Sequence, residues 1–225
     1  MTMPAVAEPS IPPREAAIAG AVKTVLNAGS GSRAARQVHP AFRRPAWRET
    51  RLDIDGATTP DIVGSITDMR AVVADASVDA IWSSHVLEHL FAHEVPLALA
   101  EFRRVLKPGG FALISSPDLE TVVELVARRG LTHVAYVSSA GPITPLDMLF
   151  GHSASIARGR TTMAHNTGFT ATSLGELLVA AGFAAVLVKR DHFDLWALAL
   201  TAEADKAAIL GELQASGLDL ADDAD

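Results

Sequence analysis

The sequence predicts an α/β fold in which βα units build a mostly parallel sheet. Short apolar runs rich in Val, Ile and Leu alternate with longer stretches that repeat apolar residues at helical spacing. The short runs are almost continuously apolar, as expected for strands that are buried on both faces. At 225 residues, the chain suits one large domain and leaves little room for a second.

Seven runs are predicted as strands. They occupy residues 24–28, 51–54, 62–63, 80–83, 111–115, 184–189 and 193–200. The clearest helix covers residues 95–106 and ends at Lys107-Pro108-Gly109-Gly110, because proline cannot continue a helix and glycine accepts a left-handed cap. Further helices are predicted over residues 119–129 and over residues 173–181, the latter capped by Thr172 or Ser173.

Three segments lie outside this pattern. Residues 1–20, rich in Pro, Ala and Ser, are expected to form a loose tail in front of a domain over residues 21–201. Residues 130–168 are predicted to be an irregular insertion, and insertions of that length are usually lids or binding loops. Residues 202–225 are expected to form a peripheral, acidic tail that is mostly one helix.

Composition narrows the possible partners. The net charge of −7 repels phosphate backbones, and no run of basic residues is larger than Arg43-Arg44, so no nucleic-acid partner is expected. No membrane partner is expected either, because apolar stretches are far shorter than the roughly 20 residues of a membrane span. The absence of cysteine excludes disulfides and thiolate metal ligands and fits a cytoplasmic protein. The oligomeric state stays open, with a homodimer as one option.

A glycine turn, Gly29-Ser30-Gly31, follows the first strand and is expected to open a helix. Because glycine has no Cβ, a ligand can approach the backbone closely, so the turn predicts a cofactor site. An ordinary tight turn would have the same pattern. Asp53 ends the second strand, where a carboxylate can accept both hydroxyls of a ribose. Asp55 could serve instead, or could simply start the turn at Gly56.

Five motifs follow one another between residues 24 and 116. They are Val25-Leu26-Asn27-Ala28-Gly29-Ser30-Gly31, Leu52-Asp53-Ile54-Asp55, Gly64-Ser65-Ile66-Thr67-Asp68-Met69, the run of residues 78–90, and Glu101-Phe102-Arg103-Arg104-Val105-Leu106-Lys107-Pro108-Gly109-Gly110. In this order and spacing they resemble the class I S-adenosylmethionine-dependent methyltransferases. Gly168-Phe169-Thr170 and Ala181-Gly182-Phe183 are also similar to the small bacterial type 11 branch of that family.

The resemblance implies a single Rossmann-like, doubly wound sheet of about seven strands. Its last strand would be antiparallel, and the insertion after the fifth strand would form a lid. The cofactor would be S-adenosylmethionine, with its methionine part at the glycine turn, its ribose at Asp53 and its adenine along residues 65–68. The implied cofactor contacts are Asn27, Gly29, Gly31, Asp53, Ile54, Ile66, Thr67, Asp68, Ser83 and Ser84.

Three residues depart from the family pattern. Asn27 stands where an acid is usual, so one charge that would help to hold the cofactor's ammonium group is missing. Arg33 stands where a third glycine is common, and Ser65 where an acid often meets the adenine amino group, a role that Asp68 could take over. We therefore expect a reduced cofactor affinity, and a protein that binds the cofactor without catalysis stays an alternative.

Two other motifs overlap these. Residues 29–34 fit the dinucleotide pattern G-x-G-x-x-A, with Asp53 as the ribose partner, and would indicate an NAD(P)-dependent oxidoreductase. His85-Val86-Leu87-Glu88-His89 fits H-x-x-E-H and would indicate a zinc hydrolase, with both imidazoles on one helix face and Glu88 as the base. The motifs farther along the chain favour the methyltransferase, so no bound metal is expected.

Methyl transfer needs little from the protein, because the sulfonium is already activated and positioning can supply up to ~7–11 kcal/mol. A base is required only if the acceptor must lose a proton, and histidine suits that task at neutral pH. We expect the base to be His165, then His85, then His152, with His89 as a further candidate. The acidic charge and the insertion favour a small-molecule acceptor.

Overall fold

A seven-stranded sheet forms the centre of the protein. The structure, a computed structural model, describes residues 22–33 and 38–220, so the tail predicted over residues 1–20 lies outside it. The strands of the described residues are β1 (Lys23–Ala28), β2 (Trp47–Asp53), β3 (Ile62–Val63), β4 (Val78–Ser84), β5 (Leu106–Pro117), β6 (Tyr136–Ser138), β7 (Gly141–Ile143), β8 (Ala185–Asp191) and β9 (Asp194–Leu200).

The α-helices of the same residues are α1 (Val95–Val105), α2 (Leu119–Arg129), α3 (Pro145–Phe150), α4 (Ser153–Ala157), α5 (Ala171–Ala180) and α6 (Lys206–Gln214). Short 3-10 helices lie at Pro40–Arg43, Gly56–Thr58, Leu87–His89 and Thr161–Met163. No helix of the described part of the chain is long and apolar enough to cross a membrane.

The order of strands in the large sheet is β3-β2-β1-β4-β5-β9-β8. Neighbours from β3 to β5 are parallel, whereas the last strand, β9, is antiparallel to both β5 and β8. The predicted doubly wound sheet with an antiparallel last strand is therefore confirmed. The chain moves outward from β1 to β3 and then returns to β4, and ligands of such sheets bind where the strand order reverses, at the carboxyl ends of β1 and β4.

Each central strand buries both of its faces. Leu26, Ile81 and Ile114 pack on the face that α1 and α5 cover, together with Phe102 of α1 and Leu174 of α5. Their neighbours along the strands, among them Val25, Trp82 and Leu113, pack on the opposite face because successive side chains of a strand alternate. This double burial explains why the strands are recognisable as continuous apolar runs.

The end of the chain differs from its prediction as a peripheral tail. Four of its residues, Ile209, Leu213, Leu218 and Leu220, are buried against the second face of the sheet. The expectation of a peripheral segment over residues 202–225 is wrong for this part, because these apolar side chains exclude water from the sheet. Residues 221–225 lie outside the described residues.

The helix predicted to open after the glycine turn falls on residues 34–37, which lie outside the described residues. The chain that follows forms the 3-10 helix Pro40–Arg43. Phe42 of this short helix packs edge-on against Trp47, with ring centroids 5.0 Å apart. Aromatic packing thus covers this part of the sheet.

The predicted insertion is ordered rather than irregular. It contains the β6–β7 hairpin, α3 and α4, and Ile143 and Met148 are buried with Val122 of α2. A capping box starts α3, in which the hydroxyl of Thr144 and the carboxylate of Asp147 bind each other's backbone N–H groups. Sequence periodicity missed these elements because each is only three to six residues long.

Helix α5 begins two residues earlier than predicted. Its cap is Thr170, not Thr172 or Ser173, because the Thr170 hydroxyl accepts from the Ser173 N–H at 3.1 Å. The Ser173 hydroxyl accepts in return from the Thr170 N–H at 3.0 Å. By contrast, α2 has the predicted bounds and is capped by Asp118.

Candidate active site

The glycine turn is tied to the neighbouring strand β2. The N–H groups of Gly29 and Ser30 donate to the carbonyl of Leu52 at 2.8 and 3.0 Å, and the Gly31 N–H donates to Oδ2 of Asp53 at 2.7 Å. Both glycines have positive φ angles, 75° and 58°, which disfavour any residue with a Cβ. Asp53 therefore positions the turn, whatever else it binds.

Arg51 is a part of this site that sequence reasoning missed. Its side chain is buried, and its guanidinium donates to the carbonyls of Gly31 and Thr59. The carboxylate of Glu49 lies 3.9 Å from its Nε. A buried arginine that binds backbone carbonyls on both sides holds the turn against the loop after β2. The only sequence signal was a charged residue at the start of an apolar strand.

The side chains of Asn27 and Ile54 differ in solvent exposure. Asn27 is buried, and its Nδ2 donates to Oε1 of Glu49 at 2.7 Å, so a carboxylate accompanies the amide where the family pattern has an acid. Ile54 follows β2 and its side chain is exposed. An exposed apolar side chain beside Asp53 is compatible with the predicted contact to a nucleoside.

The predicted adenine segment lies close to the surface. Oγ1 of Thr67 lies 2.8 Å from Oγ of Ser65, whereas the Ile66 side chain is buried in the core. Asp68 forms an ion pair with Arg70 at 2.9 Å, and the hydrogen bonds from Arg70 lower the pKa of the Asp68 carboxyl. The Asp68 carboxylate is thus already paired within its own loop.

Buried serine hydroxyls lie at the carboxyl ends of β1 and β4. Among the described residues, Oγ of Ser30 and Oγ of Ser83 have no hydrogen-bond partner, although both are fully buried. Buried hydroxyls are normally satisfied, and Ser30 also lines a cavity, so its unpaired hydroxyl indicates a place for a polar ligand. Ser84 differs, because its hydroxyl accepts from Oγ of Ser115 at 2.9 Å.

His85 directly follows β4 and stands between two carboxylates. Its Nδ1 lies 3.3 Å from Oε1 of Glu88, and its Nε2 lies 3.5 Å from Oδ1 of Asp194. Its φ of 52° is left-handed, an uncommon conformation for a residue other than glycine. Burial disfavours the cation, but the interaction with Glu88 and the charge of Asp194 outweigh burial and raise the pKa of His85.

The insertion brings His165 next to Glu88 and His89. The rings of His89 and His165 meet edge to face with centroids 4.9 Å apart. Glu88 and His165 both line a cavity of about 200 Å³, which Leu119, Met148 and Phe150 also border. Burial lowers the pKa of His165 and keeps its imidazole neutral.

The other histidine predictions have different outcomes. The H-x-x-E-H motif does not form a single helix face, because Leu87–His89 is one 3-10 turn and His85 precedes it in the left-handed conformation. The zinc-hydrolase arrangement predicted from that motif is therefore wrong. His152 does not join the group around Glu88, since its Nδ1 lies 2.8 Å from Oγ of Ser155 in α4.

A larger cavity of about 530 Å³ lies beside β1 and β2. It includes Asn27 and Glu49 but not Asp53 or the glycines, so it coincides only partly with the predicted cofactor contacts. Arg33 and Val38, which flank the undescribed residues 34–37, both line it.

A family model described as a methyltransferase domain matches residues 27–114. Residues 27–114 are therefore similar to a methyltransferase domain. The matched range begins at Asn27, covers the glycine turn and Asp53, and passes through His85 and Glu88 to β5. The same match covers the turn that also fits the dinucleotide pattern, so the methyltransferase interpretation is the one supported.

A curated relative of this domain is a putative 23S rRNA (guanine-N(1)-)-methyltransferase of Micromonospora griseorubida. The two sequences are 41% identical over 95 residues, which are 42% of this chain and 26% of the relative. The chain therefore matches only about a quarter of that relative's length.

Solved methyltransferase structures have the same fold. The 1,6-didemethyltoxoflavin-N1-methyltransferase of Burkholderia thailandensis superposes with a TM-score of 0.50 at 18% identity, over 82% of this chain and 72% of that one. A SAM-dependent methyltransferase of Archaeoglobus fulgidus superposes with a TM-score of 0.52 at 14% identity. The match covers 80% of this chain and 86% of that one. A putative methyltransferase of Haloferax volcanii, in complex with the Trm112 activator, superposes with a TM-score of 0.51 at 17% identity. The match covers 80% of this chain and 83% of that one.

Proposed function

We propose that this domain binds S-adenosylmethionine at the carboxyl ends of β1, β2 and β4 and transfers its methyl group to an acceptor beside His85. The observation that carries the proposal is the glycine turn, whose backbone is fixed by Leu52 and Asp53 in a conformation that keeps side chains away. The family match over the same residues supports the assignment of this turn to the methyl donor.

The polar groups of the crevice suit that cofactor. The unpaired hydroxyls of Ser30 and Ser83 offer hydrogen bonds on either side of the strand-order reversal. Asp53 accepts one hydrogen bond at each oxygen, and a carboxylate oxygen has a second lone pair for a ribose hydroxyl. Glu49, through its bond to Asn27, keeps a carboxylate near the end of β1, where the cofactor's ammonium group would need one.

The cofactor supplies an activated methyl group on its sulfonium, so the protein's task is to align the acceptor and to accept a proton where one is lost. His85 is the histidine that immediately follows β4, next to the Ser83-Ser84 cofactor contacts. Glu88 and Asp194, on either side of its ring, hold the imidazole in place. We assign the proton-accepting role to His85 rather than to His165 or His152 because of this position.

The acceptor that fits best is a small molecule. The cavity of about 200 Å³ between α2 and the insertion reaches Glu88, the carboxylate beside His85, and has room for a small molecule. The net charge of −7 disfavours a phosphate backbone. An RNA acceptor is the second candidate, because the curated relative is named as an rRNA methyltransferase. The lack of cysteine keeps the cytoplasm as the expected location.

Calorimetric titration with S-adenosylmethionine and S-adenosylhomocysteine tests the cofactor, with NADH as the parallel control. We expect saturable binding of the first two and none of NADH. Binding of NADH alone would replace the proposal by the oxidoreductase alternative. Turnover of the labelled methyl group with small-molecule extracts and with total RNA then separates the two acceptors, and cofactor binding without any turnover would indicate a non-catalytic binder.

A further inference from the structure

Glu88 is a carboxylate in an unusual position. It is fully buried, and among the described residues neither of its oxygens has a hydrogen-bond partner. His85 approaches one oxygen at 3.3 Å without hydrogen-bond alignment. A buried carboxylate is costly unless it is paired or binds a metal. His85 lies beside Oε1 alone, so Oε2 is the oxygen that lacks a positive partner.

The imidazoles of His89 and His165 lie beside Glu88, and a backbone carbonyl orients each ring. Nδ1 of His89 lies 3.0 Å from the carbonyl of Ala164, and Nδ1 of His165 lies 2.8 Å from the carbonyl of Met148. Because a carbonyl can only accept, each Nδ1 is the donor, which leaves each Nε2 as the ring nitrogen available to a metal. Metal-binding histidines are held in this way, with one ring nitrogen donating to a backbone carbonyl.

The backbone holds these three residues together. The Asn166 N–H donates to the carbonyl of Glu88 at 2.8 Å, and Nδ2 of Asn166 donates to the carbonyl of His89 at 2.8 Å. The residue that follows His165 thus clamps the insertion onto the turn after β4. One ligand atom from each of Glu88, His89 and His165 lies within 4.8 Å of the other two.

We propose that Glu88, His89 and His165 bind a divalent first-row transition metal, for which zinc is the test ion. Two imidazoles and one carboxylate suit such ions, at metal–ligand distances of about 2.0–2.2 Å. Closing the three ligand atoms around an ion requires side-chain movements of about an ångström. The adjoining cavity leaves an open coordination position for a water molecule or for an oxygen or nitrogen of a bound small molecule.

This site is not the one predicted from H-x-x-E-H, and it departs from the expectation that no metal is bound. In that motif both histidines would be ligands and Glu88 the base, whereas here Glu88 is a ligand, His85 is outside the set and the insertion supplies His165. The inference does not depend on methyl transfer, because it rests only on the three side chains and their backbone partners.

The test is calorimetric titration of tag-free, chelator-stripped protein with zinc chloride, repeated with magnesium chloride. We expect one equivalent of zinc to bind at micromolar concentration or below, and no magnesium, because magnesium prefers oxygen ligands. His165→Gln and His89→Gln should each weaken zinc binding by about 100-fold, since even outer-shell substitutions cost about 10–100-fold. His152→Gln, a histidine of the same insertion, is the matched control and should bind zinc as the unaltered protein does.

Three results would overturn the proposal: no saturable zinc binding at micromolar zinc, unchanged affinity in both ligand variants, or an equal loss in the His152 control. If circular dichroism shows that a ligand variant does not fold, the cobalt(II) spectrum of the unaltered protein tests whether the metal site exists. Intense visible bands would indicate a four- or five-coordinate site, and weak octahedral bands would contradict it. None of these measurements involves a methyl donor, so their failure would leave the proposed methyl transfer standing.

Discussion

Val86 packs directly against Gly29. A Cβ at Gly29 would lie 2.4 Å from Cγ2 of Val86, a separation that real side chains do not reach. Gly29 follows β1 and Val86 follows β4, so this contact joins the two strand ends that flank the proposed cofactor crevice. Glycine is therefore required here for two independent reasons, the lack of space and the φ of 75°.

Gly29→Ala should destabilise the fold by about 2–4 kcal/mol, because left-handed strain and overpacking add. Urea unfolding measures the effect. Gly211→Ala in α6, where nothing lies within 4 Å of the new Cβ, is the control and should be neutral or slightly stabilising. Adding Val86→Ala to the Gly29→Ala variant should restore only the part of the lost stability that comes from overpacking. Full additivity of the two substitutions would show that the contact with Val86 does not matter.

Asp53→Asn should lower the affinity for S-adenosylhomocysteine by at least about tenfold, because a hydrogen bond to a charged group contributes roughly 1.5–3 kcal/mol. The amide also replaces one acceptor that the Gly31 N–H now uses. Asp55→Asn is the matched control, since that side chain only caps the Gly56–Thr58 turn. Calorimetry compares them, and an equal loss in both variants would refute the special role of Asp53.

Arg51→Met should destabilise the protein by about 2–4 kcal/mol, because the carbonyls of Gly31 and Thr59 lose a charged donor. It should also weaken cofactor binding through the loosened turn. Arg48→Met lies on the same strand but at an exposed position, and we expect a change within about 0.5 kcal/mol. Urea unfolding and calorimetry on both variants provide the measurements, and similar values for the two would contradict the role of Arg51.

His39 makes stability depend on pH. Its ring packs against Trp82 and Trp196, which stack on each other, and burial, assisted by the charge of Arg43, lowers its pKa to about 4. The neutral Nδ1 accepts from the Ala41 N–H, a bond that protonation would break. Below about pH 6.5 the unfolded chain takes up a proton that the folded protein does not, so stability falls as the pH drops from about 6.5 to about 4.

We expect the titration of His39 to lower the free energy of unfolding by roughly 1–2 kcal/mol between neutral pH and pH 5. Urea unfolding at several pH values measures the slope. His39→Gln removes the titrating group, so its slope over this range should be shallower than that of the unaltered protein. Parallel curves for the two proteins would rule out His39 as the source.

His85→Asn should lower methyl-transfer turnover by about 10²-fold or more while sparing S-adenosylhomocysteine affinity, because a proton acceptor is lost and the cofactor contacts remain. Asparagine tolerates the left-handed backbone at this position, which limits structural damage. His152→Asn is the control and should keep its rate. Unchanged turnover in His85→Asn would transfer the role to another residue.

The elements that were predicted correctly are each encoded by residues that are close together in the sequence. Strands β1 and β4, at the centre of the large sheet, are buried on both faces, so a run of six or seven residues is enough to reveal them. Helix α2 lies where it was predicted because apolar periodicity and the Asp118 cap both belong to the same short segment. The glycine turn, Asp53 and the methyltransferase resemblance were likewise readable from adjacent residues.

The tertiary structure decided what depends on residues far apart in the chain. The meeting of Glu88 and His89 with His165 has no counterpart in local periodicity, because it arises when the insertion closes over the turn after β4. Burial of Arg51 and of the leucines after α6 was equally invisible, because burial depends on which segments cover a surface. The sequence alone thus determined the fold class and the resemblance to methyltransferases, while long-range packing determined which side chains share a site.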